Sequence, residues 1–215
     1  YEVFREAAAN GQLSVINRLC ELAPEQVMQM IEARKYEAFE LAASNGHWNV
    51  INRLHELAPG KEIEMAEAQC DIITIRAIAN GHLDIVNYLC ELLPDKVNEM
   101  IGGFDYYAFQ LAAENGHLSI INRFCELAPD EVRAMFASDN YSAFRMAASK
   151  GHLNIINRLC ELAPELIQEM IQAGNYDAFQ KAAANGHINI LKQLCKLKPE
   201  LLLEMVMAKD YGAFR

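Results

Sequence analysis

The stretch Ala147-Ala148-Ser149-Lys150-Gly151-His152-Leu153-Asn154-Ile155-Ile156 decides the fold. A small pair, a turn glycine, a histidine and a fresh apolar run follow one another without a gap. The arrangement returns at a fixed interval of 35 residues: Gly-His stands at Gly46, Gly81, Gly116, Gly151 and Gly186, and Gly11 carries an Asn-Gly-Gln form. Pro24, Pro59, Pro94, Pro129, Pro164 and Pro199 keep the same interval, as do Met30, Met65, Met100, Met135, Met170 and Met205. A period of this length marks stacked supersecondary units, none of which can bury its apolar face alone. The expected fold is all-α: a single elongated α-solenoid of about six units, at residues 1–35, 36–70, 71–105, 106–140, 141–175 and 176–210.

Spacing within one unit sets the helices. Phe144, Ala147 and Ala148 lie three and four apart on one helical face, and Gly151 suits the left-handed residue past a helix end. Asn-Gly can also mark a hairpin, but the flanks here have helical rather than alternating periodicity. A second helix is expected to start near Asn154, where the six units hold Ser14, Asn49, Asp84, Ser119, Asn154 and Asn189, all N-cap types. Ile155, Ile156, Leu159, Cys160 and Leu162 form its apolar face, with Arg158 and Glu161 pairing in solvent. Pro164 and Glu165 suit the first turn of a third, short helix carrying Ile167, Met170 and Ile171.

The quoted run resembles the core of an ankyrin repeat, in which two helices meet at Ala-Ala-x-x-Gly-His-Leu-x-Ile-Val. Ala7-Ala8, Ala42-Ala43, Ala112-Ala113 and Ala182-Ala183 are the matching small pairs, with Ala77-Ile78 in the third unit. Two departures stand out. Glu37-Ala38-Phe39-Glu40 and Ser142-Ala143-Phe144-Arg145 replace the Thr-Pro-Leu-His that opens an ankyrin first helix, and the β-hairpin finger is replaced by a helical segment. The pattern is similar to divergent ankyrin-like arrays in secreted effectors of intracellular bacteria and some large viruses. That resemblance implies a non-enzymatic protein-interaction module in a reducing cytoplasm, including a host cytoplasm after secretion.

Composition excludes several classes. A net charge of -10 argues against phosphate-backbone binding, although Lys181, Lys192, Lys196, Lys198 and Lys209 make the last unit more basic. No apolar run is long enough to span a membrane. Cys20, Cys90, Cys125, Cys160 and Cys195 share one repeat position, and equivalent residues of stacked units sit roughly 8–10 Å apart. A disulfide needs Cα atoms within about 7 Å, so these cysteines read as free core residues. His47, His82, His117, His152 and His187 track the scaffold and read as structural. No metal-ligand spacing, phosphate loop or catalytic constellation stands out, so neither cofactor nor metal is expected. His55, in the cysteine slot, and Cys70 are the one irregular reactive pair, and an enzyme reading would place catalysis in the third unit or in a flanking domain. There Asp71 replaces a repeating tyrosine and Thr74 a repeating phenylalanine, with Ile78 in an alanine slot. Drift with compensation and a specificity point both fit.

In ankyrin-like stacks the first helices line the concave side, so positions that vary on a fixed scaffold become the expected protein-binding residues. These are Glu40, Leu41, Ser44, Ile75, Arg76, Gln110, Leu111, Glu114, Arg145, Met146, Ser149 and Lys181. A mixed stripe of charge with apolar anchors suits a protein surface. The array is expected to be monomeric. Leu201, Leu202 and Leu203 make the last unit unusually apolar, and Phe214-Arg215 falls midway through a helix motif, which reads as a piece of a longer protein.

Overall fold

In the computed structural model, residues 1–208 are described, and their regular structure is helical throughout. Lys209, Tyr211, Phe214 and Arg215 lie outside the described residues. The helices are α1 (Glu2–Ala9), α2 (Leu13–Leu22), α3 (Val27–Ser44), α4 (Trp48–Leu57), α5 (Glu62–Ala68), α6 (Cys70–Asn80), α7 (Leu83–Leu92), α8 (Val97–Glu114), α9 (Leu118–Leu127), α10 (Val132–Lys150), α11 (Leu153–Leu162), α12 (Ile167–Ala184), α13 (Ile188–Leu197) and α14 (Leu202–Met207). The chain divides into two compact units, Tyr1–Met100 and the residues from Ile101 onward. The 35-residue period passes through that division without a change of phase.

In the first unit α1 packs on α3, α3 on α6 and α2 on α4; in the second α10 packs on α12 and α11 on α13. The small pairs make this approach possible. Ala42, Ala43, Ala112, Ala113, Ala147 and Ala148 are fully buried, as are Phe39, Phe109 and Phe144 one turn earlier. Burying each such phenylalanine contributes about 1.5–3 kcal/mol.

Each first helix ends as expected. His47 N–H donates to the Ala42 carbonyl at 2.8 Å and Gly46 N–H to Ala43 at 3.1 Å, the paired bonds of a Schellman motif. The next helix then begins differently from expectation. Its N-cap is the histidine, not the Ser/Asn/Asp position two residues on, and no side-chain cap forms. The reason is a tight turn: Trp48 N–H reaches the Gly46 carbonyl at 3.0 Å across His47, whose φ of -84 and ψ of 70 describe an inverse γ-turn. That turn sets the entry, so the asparagine falls inside the first turn.

Pro24, Pro94, Pro129, Pro164 and Pro199 open the third segment as a single 3-10 turn before a short helix. The third helix runs directly into the next first helix through a sharp linker. At 104–106, 139–141 and 174–176, as at 34–36, three successive residues adopt positive φ. Left-handed backbone costs roughly 1–2 kcal/mol per non-glycine residue, so each linker needs compensation. Tyrosine supplies part of it: Tyr36 Oη donates to Glu64 Oε1 at 2.5 Å, and Tyr141 and Tyr176 likewise donate to Glu169 and Glu204. The third repeat has Asp71 in this slot, and its equivalent residues, Cys70 and Asp71, are already helical.

Candidate functional site

The repeating histidines hold adjacent turns together. His47 Nε2–H donates to the Ala9 carbonyl, His152 to Glu114 and His187 to Ser149, each at 2.9 Å. Asn45, Asn80 and Asn185 send Nδ2 to the carbonyls of Ala9, Ser44 and Ser149 at 2.8–2.9 Å. The rings pack so closely that a Cβ on Gly46 would lie 2.6 Å from His82, and one on Gly151 2.6 Å from His187. These imidazoles are therefore committed to the scaffold.

Across the varying stripe the expectation of exposure holds for some positions and fails for others. Glu40, Ser44 and Gln110 are buried. Glu40 accepts from Arg76 Nη1 at 2.5 Å and from Ser44 Oγ at 3.4 Å. Burial pushes the Glu40 carboxyl above its ordinary range, against the opposing pull of the Arg76 guanidinium and the Ser44 hydroxyl. Gln110 Nε2 donates to the Asp105 carbonyl at 2.8 Å and Gln180 Nε2 to Asn175 at 2.6 Å. Arg145 does the same work more strongly: Nε reaches the Asn140 carbonyl and Nη2 the Asp139 carbonyl, both at 3.0 Å, with Nη1 3.3 Å from Asp177 Oδ2. At Gln110, Arg145 and Gln180 the position after the repeating aromatic thus ties down the left-handed linker, whereas Glu40, an acceptor, is turned to Arg76 and Ser44 instead. Ile75, which has no polar group to offer, occupies this position in the repeat that lacks that linker.

The remaining stripe residues are accessible. Leu41, Ile75, Leu111, Glu114, Met146 and Ser149 are partly exposed, and Arg76 and Lys181 are exposed. Lys181 pairs with Asp177 at 2.9 Å, Glu114 with Lys150 at 3.4 Å, and Ser149 accepts from Asn185. What remains is aliphatic side chains on the first helices, Leu41 and Ile75 in the first compact unit and Leu111 and Met146 in the second, with charged residues beside them.

His55 and Cys70 have separate partners. His55 Nε2 meets the Tyr88 hydroxyl at 3.0 Å, while Cys70 Sγ lies 4.0 Å from Thr74 Oγ1. Among the described residues no cluster of three or more His, Cys, Asp or Glu could hold a metal. None of the six cysteines is in a disulfide, and burial raises Cys125 to about 11 and Cys160 to about 12. No described helix is long and apolar enough to cross a membrane. A groove of about 590 Å³ on α2 and α4 is lined by Asn17, Cys20, Asn52, Arg53 and Glu56, and burial raises the Cys20 thiol as well.

Two ladders were legible only as residue types. Arg53 Nε donates to Asn17 Oδ1 and Arg158 Nε to Asn122 Oδ1, both at 2.7 Å. At 88 the arginine slot holds tyrosine, and there Trp48, Tyr88, His55 and Phe39 form a ring cluster.

Comparison with known proteins bears on this arrangement. The model of ankyrin repeats (3 copies) matches residues 74–169 and 109–204, more than half of the chain. Among solved structures, an ankyrin repeat family protein from Legionella pneumophila is similar: 37% identity, TM-score 0.58, 78% of this chain covered. The match spans 51% of that protein, so the chain corresponds to about half its length. No curated protein matches.

Proposed function

The chain belongs to the ankyrin repeat family, and from that premise we propose that it is a non-enzymatic module binding another protein through its first-helix face, as the targeting region of a secreted bacterial effector. Ankyrin repeats are protein–protein interaction modules and typically non-catalytic. One observation carries the choice of face. On a scaffold that repeats its glycines, histidines and prolines at 35 residues, the partly exposed first-helix residues differ from unit to unit, with Leu41, Ile75, Leu111 and Met146 as aliphatic anchors. Such anchors beside rim charges are what a protein interface needs.

The contacts of Arg145 and Glu40 change which residues test this. Substituting either one disturbs the scaffold, so the informative positions are Leu111, Met146 and Lys181. Affinity capture from host-cell lysate would compare the native chain with Leu111→Glu and Met146→Glu variants of unchanged helicity and melting temperature. A protein retained by the native chain and lost by both variants supports the face; equal retention removes it. The effector role draws on the similarity to the Legionella protein and on the bacterial arrays the sequence resembles. It implies a host cytoplasm, whose reducing conditions suit six cysteines that form no disulfide. A partner other than nucleic acid fits the net charge of -10.

A further inference from the structure

The junction between the second and third repeats is built differently from its neighbours. At the first-to-second and fourth-to-fifth junctions the second helices are tied by an arginine donating to the asparagine 36 residues earlier, Arg53 to Asn17 and Arg158 to Asn122. Here the slot holds Tyr88, whose hydroxyl is turned to His55 instead, at 3.0 Å. His55 itself stands where the other repeats carry cysteine. The linker at this junction also lacks the left-handed turn and the tyrosine–acid bond found at 34–36, 139–141 and 174–176. Two regular ties are therefore absent, and a ring cluster takes their place. Trp48 sets its edge on Tyr88 at 5.1 Å and 79°, while His55 lies 5.8 Å from both Tyr88 and Phe39.

We infer that His55 makes this junction an acid-sensitive joint, which loosens when the imidazole is protonated. The surroundings favour the neutral ring. Phe39 on α3 is uncharged, and burial holds the Tyr88 phenol on α7 well above its ordinary range, so it stays neutral. On its own helix the nearby charges, Arg53 and Glu56, pair with each other at 2.8 Å. One carboxylate bears on it, Glu62 at the start of α5, and its pull toward the charged form is smaller than the opposing effect of burial, which lowers His55 below its ordinary value. A histidine lowered in the folded state costs nothing above its unfolded value of about 6.5. Below that value the open state binds more protons, and the penalty grows until pH passes the folded value. The open population of the joint then rises by up to about tenfold for each pH unit within that window.

Trp48 is the single tryptophan and sits in the cluster, so its emission reports the joint directly. The test follows Trp48 emission and amide hydrogen exchange across α4 and α7 between pH 7.5 and 5, with exchange compared at equal intrinsic rates, in the native chain and in His55→Cys, which restores the residue of the other repeats. The expected result is an emission transition below neutral pH accompanied by faster exchange in both helices, both absent from His55→Cys. Acid-accelerated exchange that persists in His55→Cys would overturn the inference. So would an emission change without any change in exchange, since the ring would then titrate without loosening the joint. A His55→Cys chain that fails to fold is replaced by His55→Phe, read the same way.

Discussion

Gly46 and Gly186 share a repeat position and a left-handed φ, 73 and 77, yet differ in their surroundings. A Cβ at Gly46 meets the His82 ring, while one at Gly186 meets nothing within 4 Å among the described residues. Gly186→Ala should therefore cost about 1 kcal/mol from backbone strain alone. Gly46→Ala should cost at least twice that, because the histidine that clamps the turn must also move. Urea denaturation of both variants measures the difference, and equal losses would show that the imidazole yields freely. A second residue-scale prediction concerns Asn157, whose buried Oδ1 has no hydrogen-bond partner among the described residues. Its ladder partner would be residue 193, 36 positions on, where the chain has Gln193 rather than the arginine that serves Asn17 and Asn122. Gln193→Arg should stabilise by about 1 kcal/mol. The gain should vanish in an Asn157→Ala background, which a double-mutant cycle reads directly.

The linkers are where element-scale energetics concentrate. Three of the left-handed slots at their first position hold Arg34, Asp139 and Gly174, but the fourth holds Phe104, 87% exposed with φ 52. Nothing in the fold rewards a phenylalanine there, so Phe104→Asn should raise stability by up to about 1 kcal/mol, since asparagine tolerates this region better. Arg145→Ala should do the reverse, losing two bonds to linker carbonyls and about 1–3 kcal/mol. Thermal unfolding of the two variants should move in opposite directions. The helices themselves were legible in the sequence: Phe144, Ala147, Ala148 and Gly151 gave helix, face and terminus from spacing alone. The helical replacement of the finger was legible too, from Ile167, Met170 and Ile171 behind Pro164. The linker was not, because the positive-φ residues Asp139, Asn140 and Tyr141 are held by Arg145, which donates to two linker carbonyls, and by the bond from Tyr141 to Glu169, which periodicity does not register. Glu40, Ser44 and Gln110 were hidden for the same reason. Variation between repeats marks freedom to change, which a buried polar tie to a changing neighbour also allows.

At the scale of the molecule, repetition spends most of the chemically active residues on the scaffold. The cysteines illustrate it: with Cys125 at about 11 and Cys160 at about 12, both thiols stay protonated near neutrality. Alkylation by iodoacetamide at pH 8 should leave both nearly untouched in the folded chain and modify them rapidly once urea unfolds it. Rapid labelling under native conditions would mean that the repeats open far more often than their packing implies. With histidines, asparagines and cysteines so committed, recognition falls to side chains that the scaffold leaves partly uncovered on the first helices. The most direct test is a hydrogen-exchange footprint of the chain with its captured protein bound. Slowed exchange is expected in the first-helix segments 106–114, 141–149 and 176–184, with the outer helices α9, α11 and α13 unchanged. Protection confined to those outer helices would contradict binding through the first-helix face.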